Sequence, residues 1–169
     1  YMGAVGIFED DVYILHIDPD KDNGNWLTAS KALESYNNVK GLIKHEFNIF
    51  STTFNKGQAN KIDFCPLPRK TATSNYSSFN DYAKDSLVGS LLFSEEIRND
   101  SWGIGFKGRA SLGSVVSASA IRPSKEPWNT ISQQVSNTIN GGGEARIFLI
   151  GSIFGGSGAS IFPTIGKLF

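Results

Sequence analysis

A short glycine- and serine-rich stretch, Gly-Gly-Ser-Gly-Ala-Ser, lies between two apolar segments of this sequence. Glycine has no Cβ, so an anionic oxygen can come close to the main-chain N–H groups of such a stretch. A helix that follows the loop adds unpaired N–H donors and a partial positive charge at its first turn. We therefore expect this loop to bind the phosphate groups of a di- or triphosphate through residues Gly155, Gly156, Ser157, Gly158, Ala159 and Ser160.

A purely structural role for the same glycines stays open on the sequence alone. Tight turns between a strand and a helix also need glycine, because it adopts positive φ at little cost. The loop is not a Walker loop, since no Lys-Ser or Lys-Thr pair follows its last glycine and Lys167 lies too far along the chain. The strand–loop–helix context favours phosphate binding over the structural alternative.

Acidic and amide side chains follow the first apolar run of the chain. Asp18 comes directly after Val12–Ile17, which we predict to be a strand, and a carboxylate at a strand end can accept hydrogen bonds from a ribose. Asn23 and Asn25 lie in the loop that follows and are candidates for contacts to a sugar or a base. These residue types are also ordinary turn formers, so the structural alternative remains here too.

A second glycine-rich segment carries two cations. Lys107 and Arg109 flank Gly108, with further glycines on both sides. Such a loop can fold over a terminal phosphate, whose charge the cations then offset. The alternative is a solvated loop whose charges have no specific partner.

Acid–base, thiol and metal chemistry have little support in this sequence. His16 falls inside the predicted strand and is expected to be a hydrogen-bonded core residue, whereas His45 is expected at the surface. Neither histidine has an acid at a recognisable spacing. Cys65 is the only cysteine, so it cannot form an internal disulfide, and no metal-ligand cluster surrounds it in the sequence.

The elements that must position these residues alternate between strands and helices. We predict buried, parallel-type strands at Val12–Ile17 and Arg146–Ile153, and a mostly irregular segment over 44–80. This order predicts an α/β fold with a mostly parallel sheet and helices on both faces. The helical patterns cover 26–43, 78–98, 127–140 and 161–169.

Length and composition predict one soluble domain. The chain has 169 residues, of which 40% are hydrophobic and 19% are charged, and its sixteen basic and sixteen acidic side chains balance. A balanced charge gives no field that would attract nucleic acid or an anionic membrane. The sequence has no apolar stretch of membrane-spanning length, and with one cysteine the chain is predicted to be cytoplasmic.

The segment Ile147–Leu168 resembles the signature of the tubulin/FtsZ superfamily, in which a strand runs into Gly-Gly-Gly-Thr-Gly-Ser/Thr-Gly and then a helix. Phe154 falls where the first glycine of that signature stands, and Ser157 takes the place of the threonine. Ser160 is a second departure, because a glycine often stands there. The run Val12–Ile17 with its following turn is similar to the second strand of FtsZ-like chains, and residues 105–114 resemble their next glycine loop.

The resemblance implies a divergent, bacterial tubulin-like nucleotide-binding domain with a Rossmann-like fold. Its ligand would be GTP or GDP, with or without Mg²⁺, and its partner would be another copy or a partner subunit. It also implies that residues 1–169 are a single domain of a longer protein. The family's first glycine loop would precede Tyr1, and its catalytic acidic loop would follow Phe169, so hydrolysis would need parts outside this segment.

Two other functions stay open. The glycine loop also resembles that of NAD(P)-binding short-chain dehydrogenases, although more than 140 residues precede it here and no Tyr-x-x-x-Lys motif follows it. The departures at Phe154 and Ser160 favour a third possibility, a tubulin-like scaffold that assembles without turnover. Whether the chain is an enzyme is left open by all three interpretations.

Overall fold

A computed structural model describes residues 11–20, 24–43, 50–55, 63–71 and 75–169 of the chain. These residues form a mixture of helices and strands, with two strands that pair in parallel. The chain divides into two compact units. The first contains residues 1–17 and 21–65, and the second contains residues 18–20 and 66–169.

The two strands are β1 (Leu15–Asp18) and β2 (Asp63–Pro66). The amide of Asp63 donates to the carbonyl of Ile14 at 3.1 Å, and upstream of β1 an isolated parallel bridge joins Val12 to Phe54. The strand predicted at Val12–Ile17 is therefore confirmed as a strand. It begins at Leu15 rather than Val12, and its residues are half-buried rather than buried. The prediction of a mostly irregular segment over 44–80 was wrong at β2. This strand has only four residues, and Pro66 and Pro68, at and just after its end, are typical of loops.

The side chain of Asn55 completes the pairing beside β1. Asn55 is almost fully buried, and its main chain is left-handed with φ 47°. Its amide nitrogen Nδ2 donates to the carbonyl of Ile14 at 2.9 Å, and its Oδ1 accepts from the amide of Ile14 at 2.8 Å. The buried side chain thus supplies the acceptor for the Ile14 amide, and it gives the Ile14 carbonyl a second donor beside the amide of Asp63.

The predicted first helix is confirmed as α1 (Gly24–Leu42). Lys40 Nζ donates to the carbonyls of Ser51 at 3.1 Å and Thr52 at 2.9 Å, and the Tyr36 hydroxyl donates to the Thr52 carbonyl at 2.9 Å. These bonds hold the end of the helix against residues 51–53 of the same unit. Its one fully buried side chain is Leu33.

In the second unit the helical pattern over 78–98 forms three short helices rather than one. These helices are α2 (Phe79–Ala83), α3 (Leu87–Leu92) and α4 (Glu95–Asn99). A serine caps each helix: the hydroxyls of Ser78, Ser86 and Ser94 accept from the amides of Asp81, Gly89 and Ile97. Serine favours such starts because its short hydroxyl bonds the local main chain, so repeated serines restart the helix.

The leucines of this segment are not part of the core. Leu87, Leu91 and Leu92 are exposed, whereas the aromatic residues around them are buried. Phe79, Phe93, Trp102 and Phe106 form the core, in which neighbouring rings meet edge to face at centroid distances of 5.6–6.4 Å. Aromatic rings that pack in this way supply large buried areas in a small unit.

Three longer helices complete the second unit. They are α5 (Ala110–Ala120), α6 (Trp128–Asn140) and α7 (Gly156–Ile165). Pro127 occupies the N-cap and Gly141 the C-cap of α6, so the helix predicted over 127–140 is confirmed. The predicted strand Arg146–Ile153 was wrong, because residues 144–152 form neither helix nor strand and their apolar side chains are exposed.

Helices α5 and α7 pack against each other through small residues. A Cβ placed on Gly113 of α5 would lie 2.4 Å from the hydroxyl oxygen of Ser160 in α7 and 2.7 Å from its Cβ. Gly113 and Ser160 are both buried, so neither position has room to shift. The absence of a side chain at Gly113 therefore sets how closely the two helices approach.

We predict that Gly113→Ala destabilises the protein. Alanine is favoured over glycine in a helix by about 1 kcal/mol, but the added methyl overlaps buried atoms, and overpacking of this kind costs about 1–3 kcal/mol or more. The overlap should outweigh the gain in helix propensity. Urea denaturation followed by circular dichroism would measure the free energy of unfolding.

Ser114→Ala is the matched control, because Ser114 is the exposed next residue of α5. This variant should stay within about 0.5 kcal/mol of the wild type. A Gly113→Ala protein as stable as the Ser114→Ala protein would contradict the packing that we describe.

Candidate functional site

The candidate site is built around the turn of residues 103–108, which the aromatic core fixes at both ends. Trp102 and Phe106 are each only 2% exposed, and the amide of Trp102 donates to the carbonyl of Ser77 at 2.8 Å. The amide of Gly105 in turn donates to the carbonyl of Trp102 at 2.9 Å. Two buried rings thus hold a loop in which Gly103 and Ile104 are exposed and Gly105 is buried.

Left-handed main-chain conformations shape this turn. Gly105 has φ 78°, Lys107 has φ 49° and Gly108 has φ 74°. Glycine adopts such angles freely, but for lysine they are unfavourable. The turn then leads into α5, whose N-cap position is Arg109 and carries no capping side chain. The first turn of α5 therefore lacks a side-chain acceptor for its N–H groups.

The predicted glycine loop is largely the start of α7. Gly155 is the N-cap, the helix begins at Gly156, and the amide of Ala159 already donates to the carbonyl of Gly155 at 3.2 Å. The amides of Gly156, Ser157 and Gly158 donate no hydrogen bond to any residue that the structure describes. They are three of the four donors that an α-helix leaves unpaired at its start.

The first turns of α5 and α7 meet at Gly156. A Cβ on Gly156 would lie 3.1 Å from the amide nitrogen of Gly108 and 3.2 Å from that of Arg109. Glycine at this position is therefore required by the main chain of the 103–108 turn. As a result, the positive ends of two helix dipoles lie side by side.

Asp18 and Ser157 approach the same turn at Gly105. A Cβ on Gly105 would lie 3.8 Å from the Asp18 carboxylate oxygen Oδ1 and 4.0 Å from the Ser157 hydroxyl oxygen. The same Oδ1 accepts from the amide of Asp20 at 2.9 Å. Two of the sequence-predicted residues, 139 positions apart in the chain, are thus brought together by the second unit.

Lys107 and Arg109 are both paired with one carboxylate, that of Asp100. Lys107 Nζ lies 2.5 Å from Asp100 Oδ1, and the Arg109 guanidinium contacts the other oxygen, Oδ2. The hydrogen bond from Lys107, followed by that from Arg109, lowers the pKa of Asp100 to about 2. The three side chains together carry one net positive charge beside the start of α5.

Two of the predicted phosphate-binding residues, Gly158 and Ser160, have structural roles in and around α7. Ser160 is buried, and its hydroxyl donates within α7 to the carbonyls of Gly156 at 2.6 Å and Ser157 at 2.9 Å. A Cβ on Gly158 would lie 2.1 Å from the carbonyl oxygen of Ser152, so this glycine is needed for packing. Ser160 is therefore not available as a donor to a ligand, because it already donates inside the helix.

The remaining predicted residues have mixed outcomes. Asn23 lies outside the described residues, as does His45. His16 packs between the rings of Trp26 and Phe64 at centroid distances of 5.3 and 5.7 Å, as a core histidine would. Sequence reasoning missed Asp100, whose distances of seven and nine positions from its two cations match no local repeat.

Neither the described residues nor the comparisons with known proteins assign a further site or a family to this chain. In the described part of the chain, no three His, Cys, Asp or Glu side chains gather to hold a metal ion. No helix in the same residues is both long enough and apolar enough to cross a membrane. No protein-family model, curated protein or solved structure matches the chain.

The depressed pKa of Asp100 predicts a pH dependence of stability. The ordinary pKa of this carboxyl is 3.8, and in the folded protein it is about 2. The ionised carboxylate therefore favours the folded state above its ordinary pKa, and this stabilisation is lost as the pH falls through the folded pKa. We expect Asp100→Asn to lower the melting temperature at pH 7 and to differ little from wild type near pH 2.

Thermal denaturation of both proteins across this pH range measures the effect. A ¹³C-detected titration of the Asp100 carboxyl would give its folded pKa directly. A melting-temperature difference that stays constant from pH 7 to pH 2 would contradict the ion-paired arrangement.

Proposed function

We propose that the second unit binds the phosphate groups of a nucleotide at the junction of α5 and α7. The single observation that supports this most strongly is the approach of two helix N-termini at Gly156. The unpaired first amides of α7 and the positive ends of both helices favour an anion at this point. Ser157, half-buried at this junction, contributes a hydroxyl.

Lys107 and Arg109 supply the positive charge in this proposal. In the structure they share Asp100, and both side chains remain about one third exposed. A terminal phosphate offers more negative charge and more acceptor oxygens than one carboxylate. Phosphate binding would therefore draw one or both cations away from Asp100, at a modest cost because exposed ion pairs contribute little.

Guanine nucleotides are the first candidates because of the tubulin/FtsZ resemblance around the glycine loop. In this proposal residues 1–169 form a Rossmann-like nucleotide-binding domain, and Asp18 takes the ribose hydroxyl. The closeness of Asp18 Oδ1 and the Ser157 hydroxyl to the same turn supports one continuous site for sugar and phosphate. NAD(P) is the second candidate, because it presents a pyrophosphate and a ribose of the same chemistry.

Isothermal titration with GTP, GDP, guanosine and NADPH would test the proposal. We expect heat with GTP and GDP but none with guanosine, because the phosphates carry the binding. Arg109→Gln should weaken GTP binding by about tenfold to a hundredfold, which is the usual effect of losing a charge-assisted hydrogen bond.

Arg146→Gln provides the matched control. Arg146 belongs to the same unit and is also ion-paired, with Glu144 at 2.8 Å, but it lies at an exposed position outside the junction. This variant should bind GTP as the wild type does. Absence of heat with GTP and GDP at millimolar concentrations would overturn the proposal, and heat with NADPH alone would favour the oxidoreductase alternative.

A further inference from the structure

The strongest feature outside the nucleotide site is the exposed apolar segment 147–154. Its six large side chains all reach solvent, and Ile150 and Phe154 are 91% and 92% exposed. The other four are Ile147, Phe148, Leu149 and Ile153. Contiguous exposure on this scale marks a surface that binds another molecule.

The segment has a fixed position on α7. A Cβ on Gly151 would lie 2.8 Å from the ring of Phe162, and Ser152 packs on Gly158 through its main chain. These contacts hold the middle of the segment while the large side chains before and after it stay exposed. Gly151 and Ser152 therefore need no further ordering when the residues before them bind a partner.

The main chain of this segment also has no main-chain hydrogen-bond partner in the described part of the chain. Residues 144–153 form no main-chain hydrogen bond with another main-chain group in the ranges that the structure describes. The composition Ile-Phe-Leu-Ile is typical of a β-strand, and the sequence predicts one here. An exposed segment with strand composition and unpaired N–H and C=O groups is a template for strand pairing.

Charge favours a second copy of the chain as the occupant. No charged residue occurs between Arg146 and Lys167, so two such segments can approach without repulsion between like charges. Glu144 and Arg146, just before the segment, neutralise each other in an ion pair. The whole chain has a formal net charge of zero, which removes the long-range repulsion that keeps copies apart.

The available area matches what a stable dimer needs. Six aliphatic and aromatic side chains exposed to this degree present on the order of 750 Å² of surface, and a standard interface buries about 800 Å² on each partner. A two-fold arrangement uses the same patch on both copies and closes the assembly. The dimer therefore needs no contact surface beyond this segment.

We propose that two copies of this chain associate by antiparallel pairing of their 147–150 segments, with the flanking apolar side chains packed around the pair. This association does not depend on nucleotide, so it is independent of the phosphate-binding proposal. Each copy supplies the strand partner that the other lacks.

Sedimentation velocity of the full 169-residue chain, from about 1 to 100 µM without nucleotide, tests the proposal. We expect dimers at the upper concentrations. Ile150→Lys places a charge in the proposed strand pair and should weaken dimerisation by at least about tenfold. Because Ile150 is almost fully exposed, its replacement should leave the circular dichroism spectrum unchanged.

Leu91→Lys is the matched control, because Leu91 is 75% exposed on α3 of the same unit. It should dimerise as the wild type does. Equal weakening by both substitutions, a monomeric wild type at the highest concentration, or open-ended aggregates instead of dimers would each overturn the proposal. Hydrogen exchange adds a direct test of pairing: amides of 147–150 should be protected at high concentration only, and unprotected amides in a dimer would contradict it.

Discussion

The close approach of α5 and α7 is the constraint on which the second unit depends. Gly113 leaves room for Ser160 between the helices, and Gly156 leaves room for the main chain of the turn before α5. With side chains at these two positions, the helix starts would be forced apart. The same glycines therefore set the packing of the unit and the position of its candidate anion site.

This dual use explains why the glycine loop could be located from sequence but not fully interpreted. A phosphate site and a tight helix packing both require missing Cβ atoms, and the residue pattern is the same for both. The structure distinguishes the two roles residue by residue. Gly158 and Ser160 serve packing, whereas the Ser157 hydroxyl lies near the same turn as the Asp18 carboxylate. Local sequence has no signal that distinguishes these roles, because each is decided by a partner far along the chain.

Helices α1 and α6 were predictable from the sequence, whereas α5, β2 and the state of residues 146–153 were not. The periodicity and end signals of α1 and α6 lie within the helices themselves, so the sequence predicts them well. A strand requires a neighbour, and the apolar run 146–153 has none among the described residues although its composition favours one. The pairing of Asp100 with two cations was equally beyond prediction, since it depends on the closed turn between them.

The φ of 49° at Lys107 sets an energetic requirement on this turn. A left-handed lysine costs roughly 1–2 kcal/mol relative to the conformations it prefers, and glycine, already used twice in the same turn, would remove that cost. The contacts around Lys107 must therefore offset this cost. One such contact is the ion pair of its ammonium group with Asp100, so loss of that pair would leave the strain of the turn without this compensation.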